Sequence, residues 1–289
     1  MVKVLYVRHS QTMFNVEKKK QKATGIEKVK LNGMIQAMRN FDFIDSDLTP
    51  EGVEVTQKAI KENEHFLKGV KYLLVSPLIR TLHTAEILFQ TNLINPNLKV
   101  LVHPGICPKL TTVYNVPFKW IEQKERFKNA DFTIMNKLFE KYGFGWFAHE
   151  LHTPEHKANL SQITEQNRNL PIKEQVVAVL DYMQKIYPSY GEERKEKYLK
   201  MIDFHLWMEQ LIADNHIKDN ELCVVAHSSV LKLLVGKEFD ERFLPYNVKK
   251  MGNTEFLSFE ISESRLSIDG HKMHEKTQDH HHHQDSNKN

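Results

Sequence analysis

Three short, unbroken apolar runs constrain this chain more than anything else in it: residues 4–7 (VLYV), 72–75 (YLLV) and 222–226 (LCVVA). A strand exposed on one face alternates apolar and polar side chains, so a continuous apolar run bounded by polar residues belongs to a strand covered on both faces, as in a parallel sheet. Helical patterns stand between and after these runs. Thr49 as N-cap, with Pro50 at the first helical position, opens one that runs through Val53, Ala59 and Ile60 towards Phe66. Residues 80–89 (RTLHTAEILF) open a second, and residues 230–235 (VLKLLV) form a third that stops at Gly236. Strands alternating with helices require crossover connections. The predicted fold is therefore α/β, a three-layer sandwich with a mostly parallel sheet and helices on both faces.

The 289 residues exceed what one such sheet needs, and the excess is local. Residues 111–191 break the alternation; between Tyr114 and Phe147 they hold ten of the chain's 28 aromatic residues. They read as a helical, aromatic-rich cap insertion with a small core of its own. Two amphipathic helices are predicted over 173–187 and 192–215, and a final hairpin over 253–268 from its period-two alternation. One domain then spans 1–269, followed by a disordered, His-rich tail over 270–289.

Composition excludes several classes. A hydrophobic share of 40% is too high for a disordered chain, and no run approaches the roughly 18 apolar residues of a membrane helix. The first ten residues lack the charged start and apolar stretch of a signal peptide. Two cysteines, Cys107 and Cys223, cannot build a disulfide framework, and Cys223 sits within a strand run as a buried thiol. An intracellular, cytoplasmic setting is expected. The net charge is only +3, without a dominant basic face, which argues against nucleic acid as a partner. Oligomeric state is left open.

In open α/β sheets ligands bind beyond the carboxyl ends of the strands. Arg8, His9 and Ser10 follow the first run; Ser76, Pro77 and, one turn on, Arg80 follow the second; His227 and Ser228 follow the third. Singly, each is more often a structural or surface residue. Together they bring two imidazoles and two guanidiniums to one sheet edge, beside helix N-termini that add N–H donors. That combination specifies an anion, above all a phosphoryl group, because Arg forks match phosphate oxygens and histidine accepts a phosphoryl near neutral pH.

The segments LYVRHSQTMFN, DSDLTPEG, LLVSPLIRTLHTAEIL and ELCVVAHSSVLKLLVG resemble, in that order, the signatures of the histidine phosphatase superfamily, in its phosphoglycerate mutase-like branch. The resemblance covers residues 2–110 and 192–259, and the aromatic section falls where that family carries its variable cap. It implies hydrolysis of a phosphate monoester on a small molecule or protein, without metal or cofactor. It implies His9 as the nucleophile that becomes phosphorylated, Arg8 and Arg80 as clamps on the phosphoryl oxygens, and His227 as a donor that stabilises the transition state. Asn15 and Ser228 would line the pocket.

The chain departs from that pattern in two ways. Ser10 and Ser228 stand where the family has glycine, and the expectation is that both are tolerated. More seriously, the family's acidic proton donor aligns with Pro108 in HPGICPKLTT, and proline transfers no proton. Losing an acid–base partner removes about 10² to 10⁴ in rate, mostly for poor leaving groups. His103, Glu122 and Glu125 are candidate substitutes, and no spacing selects among them. The alternative is a phosphate-binding or protein-interaction module that kept the pocket and lost efficient turnover.

Two other motifs read blandly. Residues 17–30 carry six lysines against two glutamates and read as a solvated loop near the pocket mouth. His149, His152 and His156 have spacings compatible with a metal, but Pro154 interrupts any helix and no thiolate assists, so no zinc is expected.

Overall fold

β1 (Lys3–Arg8), β2 (Tyr72–Val75) and β5 (Leu222–Ala226) occupy the three apolar runs of a computed structural model that describes residues 2–23, 43–89, 97–110, 113–127, 129–143, 154–186 and 194–261. With β3 (Lys99–Val102), β4 (Ala130–Asp131) and β8 (Phe256–Glu260) they form a six-stranded sheet in the order β4-β3-β2-β5-β1-β8. All neighbours are parallel except β8, which runs antiparallel to β1 along one edge. Two two-residue strands, β6 (Glu238–Phe239) and β7 (Pro245–Tyr246), pair separately.

The sheet is covered on both faces, as unbroken apolar strands require. Leu5, Val7, Leu73, Val75, Cys223 and Val225 point into one core. Their neighbours Val4, Tyr6, Leu74, Leu222, Val224 and Ala226 point into the other. Helices α1 (Met13–Ala23), α2 (Pro50–Glu62) and α3 (Ile79–Phe89) follow β1 and flank β2 in the chain. α2 and α3 supply Ala59, Ile79, Leu82, Ala85 and Leu88 to the first core. After the insertion helices α4 (Thr133–Tyr142), α5 (Pro154–Gln166) and α6 (Ile172–Ile186) come α7 (Arg194–Asn215) and α8 (Ser228–Val235), which close the second. Each fully buried Leu, Val or Phe contributes roughly 1.5 to 3 kcal/mol.

The insertion is helical as expected, but its described core is not separate. Trp120, Phe127, Phe132, Met135, Leu160 and Val179 join the same cluster as the sheet's first face. The reason is β4, which extends the sheet beside β3 and lets the aromatic section pack onto the layer already there. Of the predicted final hairpin, β8 forms and pairs with β1, and residues 262–268 lie outside the described residues. So does the tail over 270–289. The lysine-rich segment is helical at its start, within α1, and not the loop expected; residues 24–30 lie outside the described residues. Among the described residues no helix is long and apolar enough to cross a membrane.

Local signals fix the helix starts. Thr49 caps α2 by accepting from the Gly52 N–H at 2.9 Å, with Pro50 at the first position. α1 carries a reciprocal cap: Asn15 N–H donates to Thr12 Oγ1 at 3.1 Å while Asn15 Oδ1 accepts from Thr12 N–H at 3.2 Å.

Candidate active site

Register places the first three site residues. Arg8 on β1 pairs with Ala226 on β5, so the next residue of each strand, His9 and His227, emerges side by side at the sheet's carboxyl edge. The His9 N–H donates to the Ala226 carbonyl at 3.0 Å, and the two imidazole centroids lie 5.2 Å apart. β2 pairs with β5 on the other side, bringing Ser76 to the same edge, where its hydroxyl meets His227 Nε2 at 2.9 Å.

His9 is buried, with one ring nitrogen engaged and the other left open. Its Nδ1 lies 2.6 Å from the Ser10 carbonyl, which can only accept, so the proton sits on Nδ1 and the lone pair on Nε2. Burial, then the Arg80 and Arg8 guanidiniums, hold its pKa well below 6.5 against the opposing Ser10 hydrogen bond, and the ring is neutral at pH 7. His227 is depressed in the same direction by burial, Arg80 and His9.

The two arginines are held by backbone and ring contacts. Arg80 is 1% exposed. Its Nη1 donates to the Tyr114 carbonyl and its Nη2 to Asn115 Oδ1, both at 2.9 Å. Its guanidinium carbon lies 3.8 Å from the centroid of the Tyr114 ring, which itself stacks on Phe14 at 4.2 Å. Arg8 Nη1 donates to the Met251 carbonyl at 3.0 Å. Neither spends its Nε: Arg8 Nε, Arg80 Nε and His227 Nδ1 are buried without a hydrogen-bond partner. Two buried guanidinium donors, with a third ring nitrogen whose role follows the His227 tautomer, line the cavity beside a neutral imidazole and suit an anion's oxygens, since such groups are otherwise costly to leave unmatched.

Asp45 was not singled out in the sequence, although it opens the DSDLTPEG segment. It is fully buried, and its carboxylate accepts from the Ile79 N–H at 2.8 Å and from the Phe118 and Lys119 N–H groups at 3.0 and 2.8 Å. One side chain thereby ties the start of α3, which carries Arg80, to the segment that holds Arg80's guanidinium. Burial raises its pKa; the three N–H donors and Arg80 pull the other way.

The two serines differ. Ser10 turns its hydroxyl onto the Gly52 carbonyl at 2.8 Å and its N–H onto Thr84 Oγ1 at 3.0 Å, so it braces the loop against α2 and α3. Ser228 opens α8 and lines the pocket with Arg8, His9, Asn15, Arg80 and His227, around a cavity of about 570 Å³. Asn15's carbonyl oxygen is used in the cap of α1, which leaves its NH₂ group as donor.

Pro108 also lines this cavity, and none of the three candidate acids does. His103 accepts from the Gly105 N–H at 2.8 Å and packs on Phe204 and Trp207; burial and the Lys197 charge push it down to about 4. Glu122 and Glu125 lie on the turns Trp120–Gln123 and Lys124–Arg126, away from the pocket lining. Among the described residues the one carboxylate that lines the cavity is Glu17 of α1, which sequence reasoning grouped with the lysine run. Cys107 and Cys223 are free thiols; burial pushes Cys107 up to about 12. His156 lies against the Tyr182 hydroxyl at 3.2 Å, His149 and His152 lie outside the described residues, and among those described no cluster of metal-ligating side chains occurs.

No protein-family model matches the chain, and no curated protein matches it. Among solved structures it is similar to a candidate alpha-ribazole-5'-P phosphatase from Escherichia coli, with 15% identity and a TM-score of 0.40 over 88% of this chain and 100% of that one. It is also similar to the ecdysone phosphate phosphatase from Bombix mori in complex with tungstate, with 13% identity and a TM-score of 0.44 over 89% and 88% of the two chains. At such values the likeness speaks to neither substrate nor mechanism, and the functional reading stands on the residues gathered at the sheet edge.

Proposed function

We propose that this chain is a phosphatase of the histidine phosphatase superfamily, hydrolysing a phosphate monoester through a phosphohistidine at His9 without a metal. The observation that carries this reading is the set of three buried, unpartnered groups, the Arg8 Nε and Arg80 Nε donors and the His227 Nδ1 ring nitrogen, beside a neutral His9. Phosphoryl transfer is chiefly positioning and charge stabilisation, and this set supplies both. His9 Nε2 attacks phosphorus as the bond to the ester oxygen breaks, and the leaving oxygen takes a proton. The phosphorylated ring is cationic, and its Nδ1–H keeps its bond to the Ser10 carbonyl. Water then attacks phosphorus, the N–P bond breaks, and inorganic phosphate leaves with His9 neutral again.

Pro108 cannot supply the leaving-group proton, and Glu17 takes that role as the lining carboxylate. Aryl and acyl phosphates, whose leaving groups need little protonation, are the favoured test substrates. Turnover of an aryl phosphate beside an alkyl phosphate, with His9→Ala as control, tests the assignment. Release by the native chain, vanadate inhibition and indifference to chelators are expected. No release above the control sinks the enzyme reading in favour of a binding module, and loss of activity with EDTA sinks the metal-free step.

A further inference from the structure

The two histidines of the site are engaged through opposite nitrogens. The Ser10 carbonyl can only accept, so His9 carries its proton on Nδ1 and keeps the lone pair on Nε2. At His227 the engaged nitrogen is Nε2, 2.9 Å from the Ser76 hydroxyl, and Nδ1 is buried without a partner in a ring that lines the cavity. A hydroxyl, unlike a carbonyl, can donate or accept. The direction of this one bond therefore decides whether His227 Nδ1 holds a proton or a lone pair.

The surroundings of Ser76 set that direction. The residue is fully buried at the end of β2, where its N–H donates to the Val225 carbonyl at 3.4 Å and its carbonyl accepts from the Thr81 hydroxyl at 2.9 Å. Its hydroxyl oxygen already accepts from the Leu78 N–H at 3.4 Å. The hydroxyl proton has two destinations, His227 Nε2 at 2.9 Å and the Cys107 sulfur at 4.0 Å. Sulfur is a weak acceptor and lies at the limit of reach, so the imidazole nitrogen takes the bond. The reverse bond would leave that proton to the sulfur and turn a lone pair, not a donor, to an anion held beside Arg8 and Arg80. Burial and the Arg80 charge hold the ring well below 6.5, so at pH 7 it carries a single N–H to be placed.

We infer that Ser76 is a positioning residue, whose hydroxyl donates to His227 Nε2 and commits that ring to the tautomer with its proton on Nδ1, available to a bound phosphoryl group. The two imidazoles, 5.2 Å apart, then play opposite parts: His9 offers a lone pair and His227 offers a proton. A backbone carbonyl sets the first and a side-chain hydroxyl sets the second. This deepens the phosphatase reading and rests on it for the identity of the anion.

Long-range proton–nitrogen NMR of the native chain with isotope-labelled histidines reads the tautomer directly, free and with orthovanadate added, and His227→Gln assigns the ring. A protonated Nδ1 and an unprotonated Nε2 are expected at His227 in both samples; a proton on Nε2 in either would overturn the inference. Kinetics supply the second arm. Ser76→Ala is expected to lower kcat on an aryl phosphate by about tenfold to a hundredfold, comparable to removing the partner that orients a metal-bound histidine. In a His227→Ala background the same substitution is expected to cost less than about twofold, because Ser76 acts through that ring. Losses that add across the two positions would mean a merely structural serine and would also overturn the inference. Should Ser76→Ala fail to fold, the spectra of the native chain decide the matter alone. A native chain that releases no phosphate would count against the phosphatase reading instead, and the spectra would still settle the tautomer.

Discussion

His9 and His227 face one another across two adjacent parallel strands, ring centroids 5.2 Å apart and planes tilted by 58°. Their proximity follows from the pairing of Arg8 with Ala226 and needs no loop to create it. In the proposed mechanism His227 stabilises charge on a phosphoryl group held at His9, from a position fixed by the strands. His227→Ala is expected to lower kcat by about 10² to 10³, the loss typical of one preorganised donor, while His9→Ala abolishes turnover. A double variant no worse than His9→Ala alone is expected, since the two act on one step. Steady-state turnover of an aryl phosphate checks this, and a His227→Ala rate within threefold of native would contradict the role.

If Glu17 is the proton donor proposed above, its loss separates substrates by their leaving groups. Glu17→Gln keeps the shape of the side chain and removes the carboxyl group. It is expected to lower kcat for an alkyl phosphate by about 10², with a distinctly smaller fall for an aryl phosphate. Equal losses on both substrates would show that Glu17 merely shapes the cavity.

Much of this arrangement was legible in the sequence, for identifiable reasons. Unbroken apolar runs fixed β1, β2 and β5, and the residues after each run had to appear at one edge once the strands were parallel. The destination of the aromatic section was hidden, because β4 is two residues long and no pattern tells which face of a sheet an insertion covers. Asp45 was hidden as well. Its three partners are backbone N–H groups more than 30 residues away, and backbone donors leave no signature in a sequence. That none of the three candidate acids lines the pocket has a similar cause: His103 stands near the pocket residues in the chain, but its ring turns to Phe204 and Trp207.

Gly52 reports on how closely α2 approaches the nucleophile loop. A Cβ at this position would lie 2.4 Å from the Gln11 carbonyl oxygen, whereas one at Gly69 meets nothing nearer than 3.7 Å. Gly52→Ala must displace backbone next to Ser10, whose hydroxyl donates to the Gly52 carbonyl. A stability loss of about 1 to 3 kcal/mol is expected, together with a lower kcat because His9 moves with the loop. Gly69→Ala is the near-neutral control. Thermal unfolding and aryl phosphate turnover of the two variants, measured side by side, decide the matter; indistinguishable variants would refute the close approach.

Buried histidines make the folded chain sensitive to mild acid. His9 and His227 are held well below 6.5, chiefly by burial, and His103 and His205 are pushed down to about 4, also chiefly by burial. Each is neutral in the folded state at a pH where its unfolded counterpart, titrating near 6.5, takes up a proton. The unfolded state therefore binds more protons below about pH 6.5, and stability falls as pH falls through that value. The decline continues down to about pH 4, where folded His103 and His205 begin to titrate. Each histidine contributes at most about 1.4 kcal/mol per pH unit within that window. Urea unfolding at pH 7, 6 and 5 should show the midpoint dropping at each step, and His205→Gln should flatten the decline by one histidine's share. A midpoint constant from pH 7 to pH 5 would mean that these rings are protonated in the folded chain, which would also remove the neutral nucleophile on which the proposed chemistry depends.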